Sequence, residues 1–164
     1  MEKTLDRRII LHSDVPASVS DVWKAWTTKD GCKTFFAPDC RIDLRVGGAY
    51  EMYFMPDKPA GTRGGEGCSI LALQEHAMLS FTWNAPPEMP NIRKQFTHVT
   101  LYFNAVDQIT TRMQLIHNGW GRGEEWDAAF AYFEKAWGAV VLPRLVHRFK
   151  NGPVDWTRPN AFRE

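Results

Sequence analysis

A helix-period stripe of large apolar side chains runs through the last third of the sequence, from Trp126 through Phe130, Phe133, Trp137, Val141 and Leu145 to Phe149. Steps of three and four residues bring all of them to one face of a helix. Each aromatic side chain has roughly 150–250 Å² to bury, so such a helix is not stable alone in water and needs a second layer over the stripe. The segments ahead of it can supply that layer, because they alternate with period two. Thr111, Met113, Leu115 and His117 share one strand face and Arg112, Gln114 and Asn118 the other, with Ile116 as an exception. Thr97, Val99, Leu101 and Phe103 repeat the pattern, and Asn104 to Gln108 is short enough to make the two strands a hairpin.

Upstream, Thr4 to His12 reads as an opening strand with Ile9, Ile10 and Leu11 at its buried end, interrupted by Asp14, Val15 and Pro16. Ser18 followed by Asp21 has the spacing of a capping box, and Val19, Val22, Trp23 and Trp26 then fall at the positions of a short amphipathic helix. Thr28 to Phe36 makes a second short helix that ends before Pro38, since proline disfavours helical geometry in the residue ahead of it. From Cys40 to Phe54 alternation resumes. Ile42, Leu44, Tyr50, Met52 and Phe54 share one face, and the Gly47–Gly48 pair marks a bulge or sharp bend. Pro56 to Gly67 is a surface loop, and Ser69 to Leu73 and Met78 to Trp83 are two more strands. Asn84 to Asn91, rich in proline, reads as a long mobile loop near the sheet end.

Length and charge bound the function. A chain of 164 residues fits one domain able to bury most of its unfolded surface. With 20 basic against 19 acidic residues the net charge is +1, which leaves no field to draw the chain to nucleic acid or to an anionic membrane. No run approaches the roughly 18 apolar residues of a membrane span, and Met1 to Arg8 is charged, so a cytoplasmic protein is expected. Cys32, Cys40 and Cys68 are odd in number and lack a C-x-x-C pair, which fits structural thiols in a reducing compartment. The histidines show no H-x-x-x-H or H-E-x-x-H spacing, so neither a metal nor another cofactor is expected.

The element order is a strand, two short helices, about five more strands and a long terminal helix. Its simplest packing is an α+β fold in which a curved antiparallel sheet of about six strands wraps around the terminal helix. One domain is expected over residues 1–152 with a tail over 153–164, where Trp156 is a candidate docking residue for a second subunit or for the body of the fold.

Several short motifs in this order resemble the START-like, helix-grip superfamily. They are Val22-Trp23 in the first helix, Asp43-Leu44-Arg45-Val46-Gly47-Gly48, Thr82-Trp83 at a strand end, and Leu115-Ile116-His117-Asn118-Gly119 ahead of a Trp-containing helix. Within that superfamily they look most like the branch named for the activator of the 90-kDa heat-shock protein ATPase. The resemblance implies a hydrophobic cavity between sheet and terminal helix. It also implies two departures, Phe35 where the branch usually has Trp and Ala136 where Gly often precedes the helix Trp, here Trp137. Both point to an altered cavity shape.

The residues expected to line that cavity are Leu44, Tyr50, Met52, Phe54, Trp83, Leu115, His117, Trp120, Phe130, Phe133 and Trp137, unless the rings simply fill the core. His117 has inward parity and a pKa range suited to acid or base work, but it serves equally as a hydrogen-bonded histidine fixing the strand end. Asp43 and Arg45 read as an exposed ion pair, with an anion-binding Arg45 as the alternative, and Glu124 and Glu125 as charges that offset a helix dipole. The leading expectation is a protein that binds a small hydrophobic or aromatic molecule. An enzyme of cyclase, dehydratase or hydrolase type using the same cavity, and a co-chaperone of the 90-kDa heat-shock protein, are the alternatives. A homodimer is compatible with each.

Overall fold

The computed structural model describes residues 7–164. Strand β1 spans Ile9–Val15, so it runs through the expected stop: Asp14 points outward and pairs with Arg112 at 2.9 Å, and Val15 turns in and is fully buried. The expected start at Thr4 lies outside the described residues. Helix α1, Val19–Thr27, is capped by Ser18, whose hydroxyl accepts from the Asp21 amide, and it buries Val22, Trp23 and Trp26. Thr28 caps a one-turn helix α2, Lys29–Cys32, by accepting from the Gly31 amide. The expected longer helix instead relaxes into turns through Phe36 that seat Phe35 and Phe36 in the core, both fully buried.

Cys40 to Phe54 is not one bent strand. It is a ribbon of β2, Asp39–Ile42, and β3, Tyr50–Tyr53, paired antiparallel. The chain reverses between them through hydrogen bonds from the Arg45 amide to the Asp43 carbonyl and from the Gly48 amide to the Arg45 carbonyl, with Gly47 at φ +80°. Leu44 lies on this turn and is 42% exposed, because the reversal takes it off the strand face that alternation had assigned to it. The Asp43 carboxylate accepts from Arg45 Nε at 2.7 Å on the surface.

Strands β4, Ile70–Gln74, β5, Met78–Trp83, β6, Thr97–Ala105, and β7, Thr111–Asn118, complete a sheet ordered β1-β7-β6-β5-β4, antiparallel throughout. The β2–β3 ribbon is stitched to its β4 edge by Gly47 N to Ile70 O at 2.8 Å and Tyr50 N to Cys68 O at 2.9 Å. The fold is therefore α+β with five strands in the main sheet and two in a bent continuation of it. Thr97, Val99, Leu101 and Phe103 on β6 and Thr111, Met113, Leu115 and His117 on β7 are all buried, as their parity predicts.

The terminal helix lies along this inner face and comes in three pieces: α4, Glu124–Ala136, a π-helical turn, Trp137–Val141, and α5, Leu142–Asn151. Trp126, Phe133, Trp137, Val141 and Leu145 of the stripe are buried, and Phe130 and Phe149 are half-buried. Pro143 explains the interruption. It has no N–H to offer the Ala139 carbonyl, so the helix widens locally and the Leu142 amide bonds back to the Trp137 carbonyl. Arg163 of the tail then donates to the Ala139 carbonyl at 3.2 Å. The tail packs on the same molecule: Val154 N bonds to Thr34 O at 2.8 Å, and Trp156 Nε1 donates to Lys33 O at 2.7 Å.

Candidate functional site

Where β3 and β5 end, two loops cross the mouth between the sheet and α4. The first, following Phe54, carries Arg63, Gly64 and Glu66; the second, following Trp83, contains the one-turn helix α3, Pro90–Arg93. They are tied together. Arg93 donates to the carbonyls of Ala85, Gly61 and Gly64 and reaches the Glu66 carboxylate at 3.4 Å, and the Asn84 amide donates to the Gly64 and Glu66 carbonyls at 3.2 Å each. The Arg93 and Glu66 side chains are only 13% and 20% exposed, so this pair lies in a region where charge-assisted bonds are stronger than at an open surface. The loop read as mobile is thus pinned at both of its ends.

Behind this knot lies a pocket of about 140 Å³. Phe54, Met55, Trp83, Pro86, Tyr132 and Phe133 supply its apolar wall, and Arg63, Asn84, Glu88 and Arg93 its polar edge. Of the residues expected to line a cavity, Phe54, Trp83 and Phe133 are at this pocket. Tyr50, Met52, Leu115, His117 and Trp137 are fully buried among other side chains, Trp120 and Phe130 are half-buried on the core's flank, and Leu44 is on the distant exposed turn. The physical reason is ring packing. Phe36 stacks on Trp83 with centroids 5.7 Å apart, Trp83 meets Trp137 at 5.4 Å, and Tyr50 lies 4.4 Å from Phe81, so rings occupy the space between sheet and helix. Met55, Arg63, Asn84 and Arg93 carry no periodic signal because they lie in loops, and Tyr132 lies on α4 one residue off the buried stripe.

His117 is held on every side. The Trp137 indole N–H donates to its Nδ1 at 3.0 Å, which leaves the ring proton on Nε2, 2.7 Å from Thr97 Oγ1. Trp120 packs against the ring with centroids 4.2 Å apart. Burial, with a smaller contribution from nearby His98, pushes the His117 pKa down to about 3. With both nitrogens engaged inside the protein and the ring neutral at physiological pH, His117 has the geometry of the strand-fixing alternative rather than that of an acid or base poised at a cavity mouth.

All three cysteines are buried. Burial pushes the Cys68 thiol up to about 12, and the Cys32 thiol is also pushed well up, chiefly by burial. Among the described residues, no group of three or more His, Cys, Asp or Glu side chains could hold a metal ion, and no helix is long and apolar enough to cross a membrane.

An antiparallel sheet wrapped along one long terminal helix, with an apolar pocket at the sheet end, defines a helix-grip protein of the START-like class. Within that class, the chain belongs to the family of Activator of Hsp90 ATPase homolog 1-like proteins, which matches residues 16–150. Among solved structures it is similar to the Aha1 dimer from Colwellia psychrerythraea, at 20% identity and a TM-score of 0.66 over 89% of this chain and 98% of that one. It is also similar to an HSP90 activator from Plasmodium falciparum, at 14% identity and a TM-score of 0.61 over 82% and 90% of the two chains. A conserved protein of unknown function from Enterococcus faecalis aligns at 17% identity and a TM-score of 0.66 over 94% and 81%. No curated protein matches the chain. At these identities the likeness establishes the fold.

Proposed function

We propose that the protein binds a small apolar molecule, of about the size of one aromatic ring, in the pocket between Phe54, Trp83 and Phe133. The observation that carries this reading is the pocket itself. Its volume of about 140 Å³ is close to the ~150 Å³ of an apolar cavity known to take up benzene. Ring walls with a few polar groups at one edge are the usual make-up of small-molecule sites, and Arg63 at that edge can orient a polar substituent. The larger cavity that the sequence implied is occupied by the protein's own rings, which limits the ligand to this end of the sheet.

The test is a titration with phenol, toluene and benzoate, followed by the amide and indole resonances of the protein. Saturable shifts at the Trp83 indole and at Phe133 are expected, weakened severalfold in Phe54→Ala, a variant at the half-exposed rim that leaves the core intact. Absence of saturable shifts at millimolar ligand would remove the reading.

The family match favours a second reading, in which the chain stimulates the ATPase of a 90-kDa heat-shock protein. Its test is the ATPase rate of that chaperone with and without the chain. An unchanged rate, with no co-elution of the two, would discard it.

A further inference from the structure

We infer that the groove between the outer edge of β1 and α5 is a second binding site, built for a small amphipathic carboxylate with one anionic head and a short apolar tail. Among the described residues, strand β1 pairs only with β7, so its other edge has no strand partner there, and the groove runs beside that edge. Its volume is about 440 Å³, inside the range of roughly 300–1,000 Å³ typical of small-molecule sites and about three times that of the ring-lined pocket.

The shape follows from the helix interruption. Gly138 lies in the π turn that Pro143 enforces, and a side chain added there would stand 3.6 Å from the Leu11 methyl, so glycine is what leaves this part of the groove floor open. Single π turns inside α-helices occur often at functional sites, because they re-aim the residues around them. Here the turn separates the ring-bearing half of the helix from the half that faces the groove.

The chemistry of the lining selects the ligand. Leu11, Leu142, Val146 and Phe162 give it an apolar side. Ser13, His147, Lys150 and Asn151 give it a polar side that carries one ammonium and several N–H and O–H donors. Asn151 Nδ2 lies 3.2 Å from His147 Nδ1 and can only donate, so the imidazole proton is on Nε2 and is a further donor. None of the lining residues is Asp or Glu, and Lys150 makes no ion pair with a described residue. The C-terminal end of α5 disfavours an anion, but that surface effect is weak and the Lys150 ammonium opposes it. A donor-rich, acid-free side facing an apolar side matches a carboxylate with a hydrocarbon or aryl tail. It matches neither a bare inorganic anion nor a neutral hydrocarbon.

The probes are octanoate, 1-octanol, which keeps the tail and lacks the charge, and acetate, which keeps the charge and lacks the tail, each titrated into the full chain and followed residue by residue by amide resonances. Octanoate is expected to shift the amides of Ser13, Gly138 and Lys150 saturably, at least tenfold more tightly than either control. Lys150→Ala, an exposed substitution, should weaken octanoate roughly tenfold and leave 1-octanol unchanged, as expected for the loss of one charge-assisted contact. Gly138→Leu, which fills the floor, should abolish binding of both. Equal affinity for octanoate and 1-octanol, an unaffected Lys150→Ala variant, or shifts confined to Trp83 and Phe133 would each overturn the inference. The last of these would place the probe in the ring-lined pocket, and failure of that pocket to bind phenol or toluene leaves this groove untouched.

Discussion

The Trp137 indole N–H donates to Nδ1 of His117 across 3.0 Å, and this one contact decides the protonation of the strand end. With Nδ1 accepting, Nε2 carries the proton toward Thr97 Oγ1 at 2.7 Å, and the Thr97 hydroxyl donates in turn to the Trp83 carbonyl at 3.3 Å. Helix, β7, β6 and β5 are thereby joined by a relay in which both ring nitrogens of the histidine are satisfied. Buried polar groups bonded in this way specify one arrangement of the core, whereas a half-satisfied relay destabilises it.

Stability should therefore depend on pH through His117. Its folded pKa of about 3 lies below the 6.5 of an unfolded histidine, so between those values the unfolded chain binds a proton that the native chain refuses. The contribution is fully present above pH 6.5 and is lost progressively as pH falls toward 3. Between pH 8 and pH 5 the loss from this group is about 2 kcal/mol. Urea unfolding at the two pH values measures it, and His117→Gln should flatten the dependence by about that amount. An unchanged pH slope in the variant would contradict the assignment.

Tyr50 provides a second test of buried bonding. Its ring is fully buried, and its hydroxyl donates to the Trp26 carbonyl at 2.8 Å. The Cys32 thiol also reaches that carbonyl, at 3.3 Å, so removing the hydroxyl does not orphan it. Tyr50→Phe should cost about 1 kcal/mol, at the low end for a buried hydrogen bond, whereas Tyr50→Phe combined with Cys32→Ala should cost more than the sum of the two single changes. Denaturant midpoints of the three variants measure the coupling.

How far the sequence was legible depends on which signal each element carries. Period-three-and-four spacing located the terminal helix, and period-two spacing placed the inner faces of β6 and β7 residue by residue, because both reflect burial, which the core enforces. The β1 end was misplaced because Asp14 looks like a stop signal, yet on an outward-facing strand position an aspartate only needs an arginine such as Arg112 across the ladder. Leu44 was misplaced because alternation says nothing about a reversal by local backbone bonds. The candidate site was half legible: Phe54, Trp83 and Phe133 follow from parity and the helix stripe, but Arg93 and Asn84 act by bonding carbonyls about thirty and twenty residues away. The cavity that the resemblance implies between sheet and helix is largely closed by edge-to-face, stacked and tilted ring pairs.

Gly48 is required by close approach rather than by its own dihedral angles. A Cβ there would fall on the backbone carbonyl of Asp43, inside any real contact distance, and the Asp43 backbone is held by the ribbon. Gly48→Ala should therefore shift the 43–48 turn and loosen its bond from Ile70 N to Gly48 O, with a loss of about 1–3 kcal/mol and faster amide exchange at Ile70. Gly47→Ala should be milder, since nothing lies within 4 Å of the added methyl and only its positive φ opposes it. Equal effects of the two substitutions would refute the close-approach argument.

The helix break offers the cleanest dissection, because its cause and its compensation are on different segments. Pro143 removes the usual i+4 donor of the Ala139 carbonyl, and Arg163 in the tail donates to that carbonyl at 3.2 Å. If that is why the tail residue matters, Arg163→Ala should cost about 0.5–1 kcal/mol in the natural background. Replacing Pro143 by alanine restores an N–H at the second residue of α5. The carbonyl can then be satisfied within the helix, and the same Arg163→Ala change should cost close to nothing. The double-mutant cycle reads this coupling directly, and the sites are near enough for it to be real. Additivity within about 0.3 kcal/mol would mean that Arg163 contributes through its stacking on Phe162, with the guanidinium 5.2 Å from the ring centroid, and not by capping the interrupted helix.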